Sequence, residues 1–446
     1  MKTWHWLGIA VLLGLVLRCA PVWGSIFTHG YVNYASPDSY YQLITTHPNI
    51  YQYVIQHVGL FRVFVPLVLF IATALMFYLI GKEIFSSKAG IVAAFAFSLL
   101  PGEYLTRSIL GEIDYHAFEV FLTTGIILCL VLYVRRMESI IGGLCSAAIF
   151  PLIYLYAKVW AGSILFAPIV MAFFVFPIVN KWLGAVLTSI PLLLLLVSIA
   201  LHPGLSLQTW RTTAETQPFY TGLFPTLHVL LAAGLLFMKQ GGKFRWPLFT
   251  WTLLLILATI LMRRFEYYLI VPLVILLGGF VSEVSLKRFA RPAVIGFLFV
   301  TSVTGYILYP KPDVPPVSWH SALDWVKDTT PQDSLIVSWW DYGYWIDYLG
   351  QRKAYIDPGQ DNNKVKAVAK WLLEGQVPDG LGQDVYLIID KRMLGDFLPA
   401  IRVWAGENGD FVARLYISQV SGYEFEYRDS DILILKYKGE SNETKR

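Results

Sequence analysis

The chain has 446 residues, 56% of them hydrophobic and only 15% charged, against roughly 25% charged in a typical soluble domain. The mean hydropathy of +0.55 excludes an ordinary soluble enzyme and indicates an integral membrane protein. The net charge of +4 acquires meaning only once it is placed on a topology, and no nucleic-acid partner is expected.

The N-terminus, MKTWHWLGIAVLLGLVLRCAPVW, resembles a signal peptide. It lacks a clear small-residue cleavage site and further apolar runs follow, so it is read as a retained first span. A span needs about 20 apolar residues, and on that measure there are about eleven candidates. They centre near residues 13, 70, 95, 125, 148, 169, 190, 229, 254, 273 and 300. Alternate loops carry Lys2, Lys82 with Lys88, Arg135 with Arg136, Lys181, Lys239 with Lys243 and Arg245, and Lys287 with Arg288 and Arg291. By the positive-inside rule these loops are cytoplasmic. An odd span count then puts the C-terminal segment outside. The cysteines Cys19, Cys129 and Cys145 all lie in apolar runs and suit small core residues, with no zinc spacing.

Four loops fall on the external face: SPDSYYQ from Ser36, GEIDYHAFE from Gly111, RTTAETQPF from Arg211 and MRRFEYY from Met262. Asp38 in the first has a plain reading as a turn residue. Asp114 and His116 in the second sit two apart near the membrane surface, with Glu112 just before. Ionisable residues at membrane depth are rare and usually functional. Glu215 lies in the third. Carboxylates plus one imidazole on a single face would suit Mg²⁺ or Mn²⁺, with Mn²⁺ better tolerating nitrogen. Arg263 and Arg264 break the charge rule, which marks a functional cation, although an arginine at the interface can also simply snorkel.

The proline-rich PKPDVPP (Pro310 to Pro316) ends this region. It divides a transmembrane catalytic domain, 1–310, from an external domain, 311–446. The fold class expected is therefore a polytopic α-helical membrane domain followed by a small mixed α/β soluble domain. LIVSWW (335–340), VYLIID (385–390) and DILILKY (431–437) read as strands, while VKAVAKWLLEG (365–375) and RMLGDFLPAIRVWAG (392–406) have helical spacing. Trp339, Trp340 and Asp341 set two indole donors beside a carboxylate acceptor, the makings of a recognition pocket.

Trp339-Trp340-Asp341-Tyr342-Gly343 is the WWDYG signature, and with it the chain resembles the catalytic subunit of the asparagine-linked oligosaccharyltransferases. The other motifs follow in that family's order. Asp38 matches the first external-loop acid, and Asp114 with His116 the second motif in its archaeal Asp-x-His form. Thr212-Thr213-Ala214-Glu215 matches the TIxE motif. Arg264-Phe265 with Tyr267 resembles the arginine-bearing start of the penultimate span. The chain has fewer apparent spans than the family usually has, and its soluble domain is short. Asp390-Lys391-Arg392-Met393 fits the family's Asp-x-x-Met helix element, with Asp361 to Lys364 a competing Asp-x-x-Lys.

The resemblance implies transfer of an oligosaccharide from a polyprenyl-(pyro)phosphate such as a dolichol carrier to Asn in Asn-x-Ser/Thr, with inversion. Trp339, Trp340 and Asp341 would read the Ser/Thr hydroxyl, Met393 beside Asp390 its methyl. Asp38 and Glu215 would engage the amide N–H₂ and break its resonance. Asp38, Asp114, His116 and Glu215 would hold the metal, and Arg264 or Arg263 the lipid phosphate. The partners implied are the lipid-linked donor, an acceptor polypeptide and membrane lipid, with no obligatory protein subunit, in a multi-pass cell-membrane enzyme whose catalytic loops and C-terminal domain face outward. Asn442-Glu443-Thr444 is itself a sequon. The alternatives are another polyprenyl-phosphate-sugar glycosyltransferase, which would lack WWDYG, and a cation-coupled transporter, which would place its charges near mid-membrane.

Overall fold

The computed structural model describes residues 3–19, 34–159, 167–175, 223–236, 242–283 and 314–439 apart from isolated positions, together with strands β1 (Phe27–Thr28) and β2 (Tyr31–Val32). The expected spans near 190 and 300, Glu215, and the Asn442 sequon lie outside the described residues. Two units emerge: Met1–Gly24 with His47–Pro312, and Ser25–Thr46 with Asp313–Arg446.

The first unit is helical and membrane-like. Among the described residues, five helical stretches are long and apolar enough to cross a bilayer: Gly59–Ile84, His116–Arg135, Ile140–Val159, Gly242–Leu261 and Arg263–Ser282. Thr3–Cys19, Ser87–Leu99 and Leu223–Leu235 are shorter apolar helices. Together with Ala167–Val175, they cover every other expected span centre. Ser87–Leu99 starts where the Ser86 hydroxyl accepts the Ala89 N–H, as an N-cap should. It is apolar on all sides and almost wholly buried.

Lipid offers no hydrophobic drive between helices, so small residues that permit close approach do the packing. A Cβ on Gly278 would lie 2.6 Å from the Ala89 carbonyl oxygen, and one on Gly90 2.2 Å from that of Tyr78. Arg18 is fully buried here. Its Nε donates to Ser108 Oγ at 2.8 Å and its Nη1 to the Gly14 and Ser98 carbonyls at 3.1 Å. The Phe70 ring lies 3.9 Å away, so the cation is enclosed by acceptors and a π-face.

The second unit is built on a five-stranded sheet in the order β4-β3-β5-β7-β6. The strands are β3 (Leu335–Val337), β4 (Lys353–Ala354), β5 (Val385–Asp390), β6 (Tyr423–Arg428) and β7 (Ile432–Tyr437). β3 pairs in parallel with β4 and β5; β7 is antiparallel to β5 and β6. β5 is buried along its whole length, which explains its continuous apolar run. The three expected strands are present, although Trp339 and Trp340 leave β3 and enter a 3₁₀ turn over Trp340–Tyr342.

The helix expected over 392–406 is instead two pieces: a 3₁₀ turn, Lys391–Leu394, and a helix, Leu398–Ala405. Gly395, at φ −130° and ψ −92°, breaks it, and Pro399 in the first turn of the second piece restarts it. The 365–375 helix extends over Asn362–Glu374 and stops at Gly375, whose φ of +81° is the left-handed conformation that glycine adopts at no cost.

Candidate functional site

The WWDYG segment leaves the end of β3 and turns into the helix Gly343–Tyr348. Its tyrosine is the anchor. Tyr342 is fully buried, stacks on Trp319 with ring centroids 4.2 Å apart, and donates to Asp390 Oδ2 at 2.7 Å. Trp319 Nε1 donates to the same oxygen at 2.7 Å. Asp390 Oδ1 accepts the Arg392 N–H at 2.8 Å, capping the 3₁₀ turn that carries fully buried Met393. Asp390 therefore fastens the Met393 turn to the signature tyrosine, with both carboxylate oxygens engaged by the protein. Asp361, of the competing motif, caps the Asn362–Glu374 helix.

Gly343 is required by space. A Cβ there would meet the Ile356 carbonyl oxygen at 2.4 Å and Asp357 Cα at 2.5 Å. Both neighbours include backbone, which cannot step aside. Gly343→Ala is expected to destabilise this unit by about 1–3 kcal/mol, seen as a lower thermal midpoint of the purified chain; an unchanged midpoint would refute this packing.

The tryptophans are arranged differently. Trp339 is 1% exposed and Trp340 partly buried, with ring centroids 6.3 Å apart. Neither indole Nε1–H, both buried, has an acceptor among the described residues. A buried donor left unpaired costs about 1–3 kcal/mol. Two of them in succession beside Asp341, while Tyr342 next door is fully satisfied, mark donors that a ligand oxygen would complete.

Asp38 belongs to this same unit. It lies in the first turn of the Pro37–Ile44 helix, where Ser36 accepts the Ser39 N–H as N-cap and the helix dipole favours a carboxylate. This helix packs on Gly343–Tyr348: Tyr41 stacks on Tyr344 at 5.1 Å, and Tyr40 meets Tyr348 at 5.4 Å. The acid of the first external loop is thus held by the helix that begins in the signature.

Asp347 on that helix accepts the Ala354 N–H at 2.9 Å. Burial, helped by nearby Asp357, pushes its carboxyl up to about 6, against the opposing Ala354 hydrogen bond. The folded state therefore prefers the protonated acid: the penalty is absent below the unfolded value near 4 and complete above about 6. Asp347→Asn, which keeps the acceptor oxygen, is expected to raise the thermal midpoint at pH 7.5 with the gain fading towards pH 4; an equal gain at both values would contradict the assignment.

In the helical unit Asp114 and His116 are brought together. Tyr51 Oη donates to the Ile113 carbonyl at 2.9 Å and holds their loop. The Tyr115 N–H binds Asp114 Oδ1 at 2.7 Å, turning Oδ2 towards His116 Nε2 at 3.2 Å. All three ionisable side chains, Asp114, His116 and Glu119, are buried. Two donor atoms bound in cis to one divalent ion at about 2.1 Å stand about 3 Å apart, so this pair has the spacing of two such ligands. Among the described residues no set of three or more His, Cys, Asp or Glu forms a complete metal site. Glu119, one turn on, places Oε2 2.9 Å from His116 Nδ1. Glu119 was not among the expected site residues; its i,i+3 spacing from His116 is the sequence signal for it.

The two arginines part company. Arg263 Nη2 pairs with Glu103 Oε1 at 2.6 Å. Arg264 Nη2 reaches the Tyr115 hydroxyl at 3.2 Å and its Nε the Tyr267 hydroxyl at 3.5 Å, on the Asp114–Glu119 side. Also unforeseen was a buried pair, His228 with Glu266, whose carboxylate accepts the Glu103 N–H at 2.8 Å. It ties the Arg263–Glu103 pair into the helical core.

Comparison with known proteins now bears on this geometry. Residues 27–310 match the family model for oligosaccharyl transferase STT3, N-terminal, and residues 332–377 match that of the STT3/PglB/AglB core domain. A dolichyl-phosphooligosaccharide-protein glycotransferase 3 of Archaeoglobus fulgidus is 31% identical over 124 residues, 26% of this chain and 14% of its own length. Glycotransferase 1 of Pyrococcus furiosus is 45% identical over 56 residues, 12% of this chain and 6% of its own. The aligned segments are thus a small part of these curated relatives.

The solved structure of the archaeal oligosaccharyltransferase AglB from Archaeoglobus fulgidus, with an inhibitory peptide and a dolichol-phosphate, superposes with a TM-score of 0.67 over 99% of this chain and 74% of its own, at 20% identity. An arabinofuranosyltransferase, AftD from Mycobacteria, superposes at 0.54 over 98% of this chain and 42% of its own, at 14% identity. Fold likeness alone therefore spans two kinds of glycosyltransferase, and the discrimination comes from the family models. Since one of them covers residues 27–310, more than half of the chain, and the core-domain model then takes in the WWDYG segment, the chain belongs to the STT3 family of oligosaccharyl transferases.

Proposed function

We propose that this protein transfers an oligosaccharide en bloc from a polyprenyl-(pyro)phosphate carrier to the side-chain amide of Asn in Asn-x-Ser/Thr. The observation that carries this reading is the pair of buried indole donors at Trp339 and Trp340 beside Asp341, neither with an acceptor among the described residues. A pocket built to bind a hydroxyl rejects acceptors without one, and the sequon's third residue supplies such a hydroxyl. Trp339 and Trp340 donate to it and Asp341 accepts from it. Met393, on the turn fastened by Asp390, presents a flexible apolar surface for the Thr methyl.

Asp114 and His116 hold a divalent cation, Mn²⁺ or Mg²⁺, joined on the family pattern by Asp38 and Glu215. The related Archaeoglobus fulgidus oligosaccharyltransferase has been solved with Zn and sulfate, which supports metal dependence here. When bound, the ion supplies Lewis-acid support to the leaving lipid phosphate. Asp38 and Glu215 accept the two amide N–H groups of the acceptor Asn and twist its C–N bond, restoring the nitrogen lone pair that resonance withholds. Arg264 contributes a permanent positive charge with a planar fork suited to phosphate, while Arg263 is committed to Glu103.

The transmembrane domain of residues 1–310 has about eleven spans, and the domain of 311–446 lies outside the membrane with the catalytic loops. The chain acts without obligatory subunits. The rival is a glycosyltransferase that glycosylates hydroxyls. Host lipid-linked oligosaccharide offered to the purified chain with an Asn-x-Thr peptide, an Asn-x-Ala peptide and a Ser-rich peptide without Asn decides between them. Glycopeptide is expected from the first alone; product on the Ser-rich peptide would overturn the reading.

A further inference from the structure

We infer that Glu119 is a positioning residue that fixes His116 in the tautomer able to bind the divalent ion; this rests on the metal reading of Asp114 and His116 given above. Both nitrogens of the buried imidazole face carboxylates: Nδ1 lies 2.9 Å from Glu119 Oε2, and Nε2 lies 3.2 Å from Asp114 Oδ2. A neutral imidazole has one N–H, so it donates to only one of them. The other contact sets a nitrogen lone pair against a carboxylate oxygen, which becomes favourable when a cation is bound by both atoms or when the ring or the acid takes up a proton.

The surroundings decide which contact is which. Glu119 Oε2 also receives the Tyr267 hydroxyl at 3.3 Å. Glu119 is 0% exposed and its Oε1 has no hydrogen-bond partner among the described residues. Its Oε2 accepts from the His116 side and from Tyr267 together. Asp114 Oδ1, by contrast, is held by the Tyr115 N–H, which leaves Oδ2 directed at Nε2. The contact at Nδ1, at 2.9 Å, is the shorter of the two, so the proton is placed there, donated to Glu119, and the Nε2 lone pair and Asp114 Oδ2, 3.2 Å apart, would flank the ion. A ligating histidine that hands its other N–H to a carboxylate gains basicity and a fixed ring plane, and loss of such a partner typically weakens metal binding about 10- to 100-fold.

The same oxygen extends the arrangement to the lipid-phosphate side. Tyr267, which donates to Glu119, is also the tyrosine that Arg264 Nε approaches at 3.5 Å. Glu119 therefore sits between the histidine and the arginine, joined to the first at Nδ1 and to the second through Tyr267.

The test is Mn²⁺ binding to the purified full-length protein, followed by the electron paramagnetic resonance signal of free Mn²⁺, for the parent, Glu119→Gln and Glu119→Leu. The Gln variant keeps the shape and an acceptor oxygen, so it folds even where Leu does not, and melting in EDTA checks this. The expected result is weaker Mn²⁺ binding by about 10-fold in Gln and up to about 100-fold in Leu. Turnover of the Gln variant should recover to within about threefold of the parent at saturating Mn²⁺. A merely structural role would lower that plateau and leave Mn²⁺ affinity unchanged. Equal affinity in parent and Gln variant overturns the inference alone, and failure of the parent to bind any Mn²⁺ overturns the metal reading with it.

Discussion

Asp341→Ala is expected to lower glycopeptide formation from an Asn-x-Thr peptide by about 10- to 100-fold, the worth of one hydrogen bond to a charged group in a dry site. The loss should fall mainly on the peptide KM, because the third sequon position is remote from the reacting nitrogen and is held alike in the ground and transition states. Tyr342 and Gly343, next to Asp341, carry the structural load through Asp390, Trp319 and the Ile356 backbone. In a two-by-two comparison of parent and Asp341→Ala against Asn-x-Thr and Asn-x-Ala peptides, the Thr advantage should shrink in the variant. Equal loss on both peptides would place Asp341 outside the hydroxyl pocket. Trp339→Phe, which deletes one indole donor and keeps the aromatic bulk, should act in the same direction with a smaller effect.

Asp38→Asn should have the opposite kinetic signature. The proposed work of this carboxylate is on the acceptor amide and the ion during the reaction, so its loss should cost about 10²–10³-fold in kcat, the scale seen for removal of one preorganised electrostatic group, with peptide KM changed by less than about threefold. The substitution is isosteric, and the Pro37–Ile44 helix is secured by other atoms. Ser36 is its cap, the Asp38 carbonyl rather than its carboxylate accepts from Gln42 at 3.2 Å, and Tyr40 and Tyr41 pack on the helix that follows the signature. The lost charge at the helix N-terminus should cost folding about 1 kcal/mol. A kcat within a few-fold of the parent would remove Asp38 from the chemistry.

Much of this organisation was legible in the chain, for identifiable reasons. Strand β5 was readable because it is buried along its whole length and so forms an apolar run up to its terminal Asp390. The membrane helices were readable because lipid demands unbroken apolar length. The signature was readable because two adjacent indoles and an acid have few structural uses. What escaped the sequence depended on tertiary partners. Tyr342 looked like part of the binding motif, yet its hydroxyl is spent on Asp390, a pairing across 48 residues that no local pattern encodes. The Asp390-to-Met393 stretch looked like a helix start but is a 3₁₀ turn, because Gly395 breaks it. The choice between Arg263 and Arg264 rested on which one meets Glu103, on a distant turn. The grouping of Ser25–Thr46 with the C-terminal unit arises from tyrosine stacking between segments about 300 residues apart in the chain.

The most direct test of the central claim is transfer itself. Purified protein would be incubated with lipid-linked oligosaccharide from its own host, Mn²⁺ and a fluorescent Asn-x-Thr peptide, with a Gln-x-Thr peptide and an EDTA sample in parallel. A mass increase equal to the whole glycan, on the Asn peptide alone and abolished by EDTA, is the predicted result. Transfer to the Gln peptide, transfer undiminished in EDTA, or no glycan on the Asn peptide with intact donor and folded protein would contradict the account.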